Sequence, residues 1–143
     1  MLGVKPYLTF NGNCEEAINF YRDALGGEVI FIQRFGESPM KGMGDDDAVM
    51  HCTLKIGDSY IMASDAPPTQ PAMSGTNFSL AIGLNEAEKA REYFEKLSAG
   101  GTVTMPLDKT FWAEAFGMLT DKFGINWMVN CDAPNEVDSS AAA

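Results

Sequence analysis

The chain has one histidine, His51, in the strand-like run "VMHCTLKI". An imidazole titrates near neutrality, so this residue could act as a general base or as a hydrogen-bond donor to a ligand. Its ordinary alternative is a strand histidine bonded to a neighbouring side chain or to solvent. Asp65 could orient it, or could begin the turn in "DAPP". The three cysteines, Cys14, Cys52 and Cys131, are widely spaced, odd in number and in no C-x-x-C pair. That pattern predicts small buried thiols in a reducing, cytoplasmic setting. "GDDDA" at Gly44–Ala48 lacks the spaced oxygen ligands and terminal Glu of a calcium loop and reads as a charged turn. "PLDKTFWAEAFGMLTDKFGINWMVN", from Pro106 to Asn130, holds both tryptophans, Trp112 and Trp127, with Phe111, Phe116 and Phe123. Such aromatic density suits either a core or the wall of a binding cup.

The chain of 143 residues carries a net charge of −10. This length fits one domain that buries about two thirds of its unfolded surface. Without a Lys/Arg cluster to neutralise phosphates, neither a nucleic acid nor an anionic membrane is expected as a partner. No apolar run reaches the ~18 residues of a spanning helix. No basic-then-apolar leader is visible at the N-terminus. The small, polar segment 133–143 reads as a flexible tail.

The elements that must position these residues occur twice. "PYLTF" reads as a strand and "CEEAINFYRDAL" as a helix, with Ala17, Ile18, Phe20, Tyr21 and Leu25 on one face, Asn13 as its cap and Gly26-Gly27 as its stop. "EVIFIQRF", "AVMHCTLKI" and "SYIMAS" follow as strands, the last two joined at Gly57-Asp58. "APPTQPAMSG" can hold no regular structure. The order then recurs: strand "FSLAIGL", a helix in "NEAEKAREYFEKLSAGG" capped by Asn85 and stopped by Gly100-Gly101, and strands in "TVTMPL", "FWAEAFGML" and "INWMVN". "LGGEVIF" aligns with "AGGTVTM". The predicted fold class is α+β, two βαβββ modules at about residues 3–66 and 76–132 with a linker at 67–75. A helix covers one face of each sheet. Together the modules would form a cupped mixed sheet with helices outside and a concave ligand-binding face.

This order, with "NGNCEEAINFYRDALGGEV" and "DKTFWAEAFGMLTDKFGINWMV", resembles the vicinal-oxygen-chelate superfamily of glyoxalases, extradiol dioxygenases and bleomycin-resistance proteins. More closely it resembles the PhnB-like branch, often labelled 3-demethylubiquinone-9 3-methyltransferase. The resemblance implies one glyoxalase-like domain over 1–132 and a homodimer, side by side or with swapped modules. It does not bring methyl transfer with it, because both Gly pairs follow helices, whereas a cofactor loop of that kind lies between a strand and a helix. Metal enzymes of the superfamily carry His, Gln or Glu at four strand positions. The matching slots here are Lys5–Tyr7, Met62, Ser79 and Met128, none of them a His or carboxylate. No metal ligand and no cofactor are therefore expected.

Strand alternation assigns the cup lining. Tyr7, Thr9, His51, Thr53, Met62, Ser64, Ser79, Asn126 and Met128 face the ligand, with Trp112 and Phe116 overhanging as a lid or forming an interface cluster. Leu80, Ile82, Leu84 and Trp127 face the helices. The reading is a small-molecule-binding protein without a metal. The alternative is an enzyme of the same superfamily, of lyase, isomerase or dioxygenase type, with His51 as acid/base or with an atypical metal site.

Overall fold

A computed structural model describes residues 2–132, so the expected tail at 133–143 lies outside the described residues. The order is β1 (Tyr7–Phe10), α1 (Cys14–Leu25), β2 (Glu28–Arg34), a single turn of 3-10 helix, β3 (Val49–Ile56), β4 (Ser59–Asp65), β5 (Leu80–Leu84), α2 (Ala87–Ser98), β6 (Thr102–Asp108), β7 (Ala115–Thr120) and β8 (Asn126–Cys131). The chain is α+β and consists of two βαβββ modules. It divides into a unit ending at Met73 and a unit beginning at Ser74.

Each unit forms its own four-stranded mixed sheet, ordered β1-β4-β3-β2 in the first and β5-β8-β7-β6 in the second. The first strand of each pairs parallel with the last, and the remaining pairs are antiparallel. The parallel pair needs a crossover, and the helix supplies it.

In the first unit α1 buries Cys14, Ala17, Ile18, Tyr21, Ala24 and Leu25. Beneath them lie Leu8, Phe10, Cys52, Leu54, Ile61 and Ala63, all buried. Burying each large apolar side chain is worth about 1.5–3 kcal/mol. In the second unit α2 buries Ala90, Phe94 and Leu97. The opposing strands bury Leu119, Trp127, Val129 and Cys131. Trp127 is core, as alternation predicts.

The paired glycines have one explanation in both units. Gly26 and Gly100 adopt φ 72° and 77°, the left-handed conformation that ends a helix without a Cβ clash. The second glycine of each pair lies against the next strand. A Cβ on Gly27 would stand 2.8 Å from the Lys55 carbonyl oxygen, and one on Gly101 would collide with the Thr120 carbonyl.

The helix starts differ from the sequence expectation. Asn13 precedes α1 but makes no side-chain capping bond. The cap comes from Asp65, at the far end of β4. Its Oδ1 accepts the N–H groups of Gly12 (2.8 Å) and Cys14 (2.9 Å), and its Oδ2 accepts that of Val49 (2.9 Å). A buried carboxylate serves better than a local Asn because it satisfies three amides on two elements at once. In α2 the N-cap position is Glu86 rather than Asn85, again without a side-chain bond.

Candidate functional site

The helix-free face of the first sheet carries a row of cross-strand neighbours. Tyr7 registers with Met62, Met62 with Thr53, and Thr53 with Phe31. Beside it Thr9 registers with Ser64, and His51 with Gln33. Six of the residues expected to line a site in this half, Tyr7, Thr9, His51, Thr53, Met62 and Ser64, thus share one face, and all are exposed or half-buried.

His51 lies at the centre of this face. Tyr7 Oη is 3.3 Å from His51 Nδ1, and Thr53 Oγ1 is 3.5 Å from Nε2. The Tyr7 and Phe31 rings lie 5.7 and 5.9 Å from the imidazole. Both ring nitrogens therefore face hydroxyls, and the two aromatics flank the ring. Asp65 is not the orienting partner of His51. It belongs to the opposite, buried face and is held by backbone amides. Nor does it start a turn, since it is the last residue of β4.

Two features of this face escape alternation. Phe31 is 48% exposed on it, because the β2–β3 register shifts between Val29 and Phe31 and resets the period-two pattern. Val49, which a period of two would put in the His51 row, is buried instead, because a second shift separates the His51 and Val49 pairings. Tyr60 was also missed, although it stands two residues before Met62 on the same strand. An open hollow of about 230 Å³ lies on this face, lined by Lys5, Thr53, Tyr60 and Met62.

In the second unit the equivalent row is Ala81, Met128, Met118 and Met105. The register thus places Ala81, not Ser79, beside Met128. Ser79 precedes β5. Asn126 faces the same side, and its carboxamide is engaged on both ends: Oδ1 accepts from Thr120 Oγ1 at 2.8 Å, and Nδ2 donates to the carbonyls of Gly75 (2.8 Å) and Phe78 (3.2 Å). It closes the loop before β5 over the end of β8. Met105 and Met118 extend the sulfur row, a pattern obscured in the sequence by the bulged β6–β7 pairing.

Trp112 and Phe116 do come together, with ring centroids 5.4 Å apart, and Phe111 meets Trp112 edge-on at 4.8 Å. Phe111 is 96% exposed and Trp112 50%. Asp121, in the β7–β8 turn, accepts from the backbone amides of Phe123 and Ile125 and from Trp127 Nε1. Its role is structural.

The cysteines are all free and buried. Cys14 and Cys52 touch, Sγ to Sγ, at 3.7 Å. The hydrogen bond to Cys52, then burial, pushes the Cys14 thiol far above the ordinary range. Burial first, then nearby carboxylates, raises Cys131. The hydrogen bond with Cys14 lowers Cys52, but Cys52 is fully buried, so all three thiols suit packing and not nucleophilic attack.

The donors do not suit a chelated divalent ion. In the first unit Tyr7 and Met62 offer a phenol and a thioether, and in the second unit, taken by itself, Ala81 and Met128 offer a methyl group and a thioether. A hard or borderline cation needs imidazole or carboxylate. Among the described residues no group of three or more His, Cys, Asp or Glu converges on a point. "GDDDA" is a turn whose aspartates are exposed. Among the described residues no helix is long and apolar enough to cross a membrane.

Known proteins share this fold. The chain is 38% identical to the protein YjdN of Escherichia coli over 138 residues, covering 89% of this chain and 93% of that one. It superposes on the protein PA1353 of Pseudomonas aeruginosa with a TM-score of 0.86 at 42% identity, over 93% and 99% of the two chains. For a PhnB protein of Bacillus cereus, which bears the methyltransferase label provisionally, the TM-score is 0.80 at 27% identity, over 91% and 99%. The profile of the Glyoxalase/Bleomycin resistance protein/Dioxygenase superfamily matches residues 3–129, and the chain belongs to that superfamily.

Proposed function

We propose that this protein binds a small organic molecule and needs no metal to do so. The observation that carries the reading is the helix-free face of the first sheet. It gathers Tyr7, His51, Thr53 and Met62 beside an open hollow of about 230 Å³. Aromatic and sulfur surface supplies apolar contact, and a few hydroxyls and an imidazole supply orientation, the usual composition of a small-molecule site. On this reading Thr9 and Ser64 contribute contacts or shape on the same face, and Ser79, Trp112, Phe116, Asn126 and Met128 are the candidate contacts of the second unit taken by itself. The protein works in the cytoplasm as a homodimer, and its partner is the ligand rather than nucleic acid or membrane.

The test combines metal analysis with ligand screening on untagged protein. Mass spectrometry after dialysis is expected to find well under one Zn, Fe, Mn or Ni per chain. A thermal-shift screen of small aromatic and polar compounds is expected to give saturable stabilisation. One tightly held metal per chain would sink the metal-free reading, and a screen without a stabilising compound would sink the binding reading.

The contacts of His51 favour a second reading, an enzyme of the same superfamily in which His51 moves a proton. An imidazole hydrogen-bonded to Tyr7 and Thr53 has a defined orientation. Turnover of a bound compound that His51→Ala abolishes, with the melting transition unchanged, would establish it. Stoichiometric binding without product excludes it.

A further inference from the structure

We propose that the Lys5–Tyr60 end of this face is an anion subsite, and that the ligand is a small aromatic anion of the aryl-carboxylate type. The inference rests on the small-molecule reading and deepens it. Its first support is an unneutralised cation. Arg22 pairs with Asp23, Arg34 with Glu15 and Lys96 with Glu92, and Lys5 takes part in none of these. Its ammonium lies 5.9 Å from the centroid of the Tyr60 ring, at the edge of the hollow. A cation–π contact holds the charge there without cancelling it.

The second support is the distribution of acids. The chain has 20 acidic and 10 basic residues. Yet the side chains lining the hollow are Lys5, Thr53, Tyr60 and Met62, with no carboxylate among them. The next residue in the Tyr60 row is Lys55, and only beyond it does Glu28 follow. Asp65 is buried on the opposite face, and Asp58 stands exposed in the β3–β4 turn, outside the lining of the hollow. The lining of the hollow thus presents a positive charge and no negative one. That arrangement attracts anions and repels cations.

The third support is the form of the surroundings. The ring of Tyr60 and the thioether of Met62 line the hollow together with Lys5, and Tyr7 registers with Met62, so flat, polarisable surface lies beside the charge. A planar body of one or two fused rings fits against them. Lys5 would meet the charged head, and the Thr53 and Tyr60 hydroxyls could donate to its oxygens.

The experiment uses three probes of one shape and three charges: 1-naphthoate, 1-naphthalenemethanol and 1-naphthylmethylammonium. Each is titrated into the full chain by calorimetry, with amide chemical shifts recorded in parallel. Naphthoate is expected to bind about tenfold more tightly than the alcohol, as a charge-assisted contact does against a neutral one, and its advantage should shrink as salt is raised. Its shifts should centre on Thr53, Tyr60 and Met62. Lys5→Met should bring naphthoate down to the alcohol's affinity. Lys5 is an exposed residue ahead of β1, so that variant is expected to melt like the parent. Equal or tighter binding of the alcohol or the ammonium would overturn the anion subsite while leaving small-molecule binding intact. Naphthoate shifts centred elsewhere, or binding by none of the three probes, would overturn it too, and the wider screen would then judge the small-molecule reading by itself.

Discussion

Asp65 accepts three backbone amides from two parts of its unit, so it acts as a rivet between the β1–α1 connection, the start of β3 and the end of β4. Asp65→Asn would keep the shape but lose the charge and turn one acceptor into a donor facing donors. A loss of about 2–4 kcal/mol is expected in urea unfolding, with an unchanged slope. A loss under half a kilocalorie would show that the amides find other partners. Arg34 and Glu15 form a two-pronged pair, at 3.0 and 2.9 Å, that joins the end of β2 to α1. The Arg34 hydrogen bond holds the Glu15 carboxyl below its usual value. A lowered carboxylate stabilises the fold above the unfolded-state value of about 4.3 and ceases to as pH falls through the lower folded value. Glu15→Gln should therefore cost under about 1 kcal/mol at neutral pH, since the pair is partly exposed, and nothing at an acid pH below the lowered folded value. Equal costs at both pH values would refute the linkage. The sequence marked His51 as the residue to watch, because it is the lone imidazole. It could not reveal that Asp65 serves the backbone, since the amides it satisfies come from Gly12, Cys14 and Val49, distant in the chain.

At the scale of elements, strand alternation was legible wherever pairing is regular. β1, β4 and β8 place Tyr7, Met62 and Met128 on one side and Leu8, Ile61 and Trp127 on the other, as a period of two requires. It failed at bulges, where one strand carries an extra residue. Phe31, Val49 and Met105 all sit at such shifts, and pairing partners are invisible in a single sequence. The Gly-Gly signature was legible as a helix stop, but only half of its meaning was. The first glycine answers to backbone conformation and the second to the proximity of a neighbouring strand's carbonyl. Gly26→Ala should cost about 1 kcal/mol. Gly27→Ala and Gly101→Ala must move a strand backbone and should cost more, about 2–4 kcal/mol. Thermal melts of the three variants test the ranking, and the reverse order would refute the steric account.

For the whole molecule, the duplication was the most legible property, because five elements recur in one order and the two sheets have matching strand orders. Superfamily membership follows from that architecture and from the profile match. The ligand did not, since a hollow is drawn by register and by residues such as Lys5 and Tyr60 that no periodic pattern picks out. The proposed homodimer predicts a sedimentation mass of twice the 15.5 kDa chain, and a single-chain mass would remove it. One property of the division at Met73 bears on how the molecule comes into being. Every ladder partner of β1 to β4 lies between Tyr7 and Asp65. A ribosome adding roughly 5–20 residues per second takes several seconds to finish the remainder. The first sheet can close on the nascent chain during that time, so the amino-terminal half need not wait for its sister to be translated.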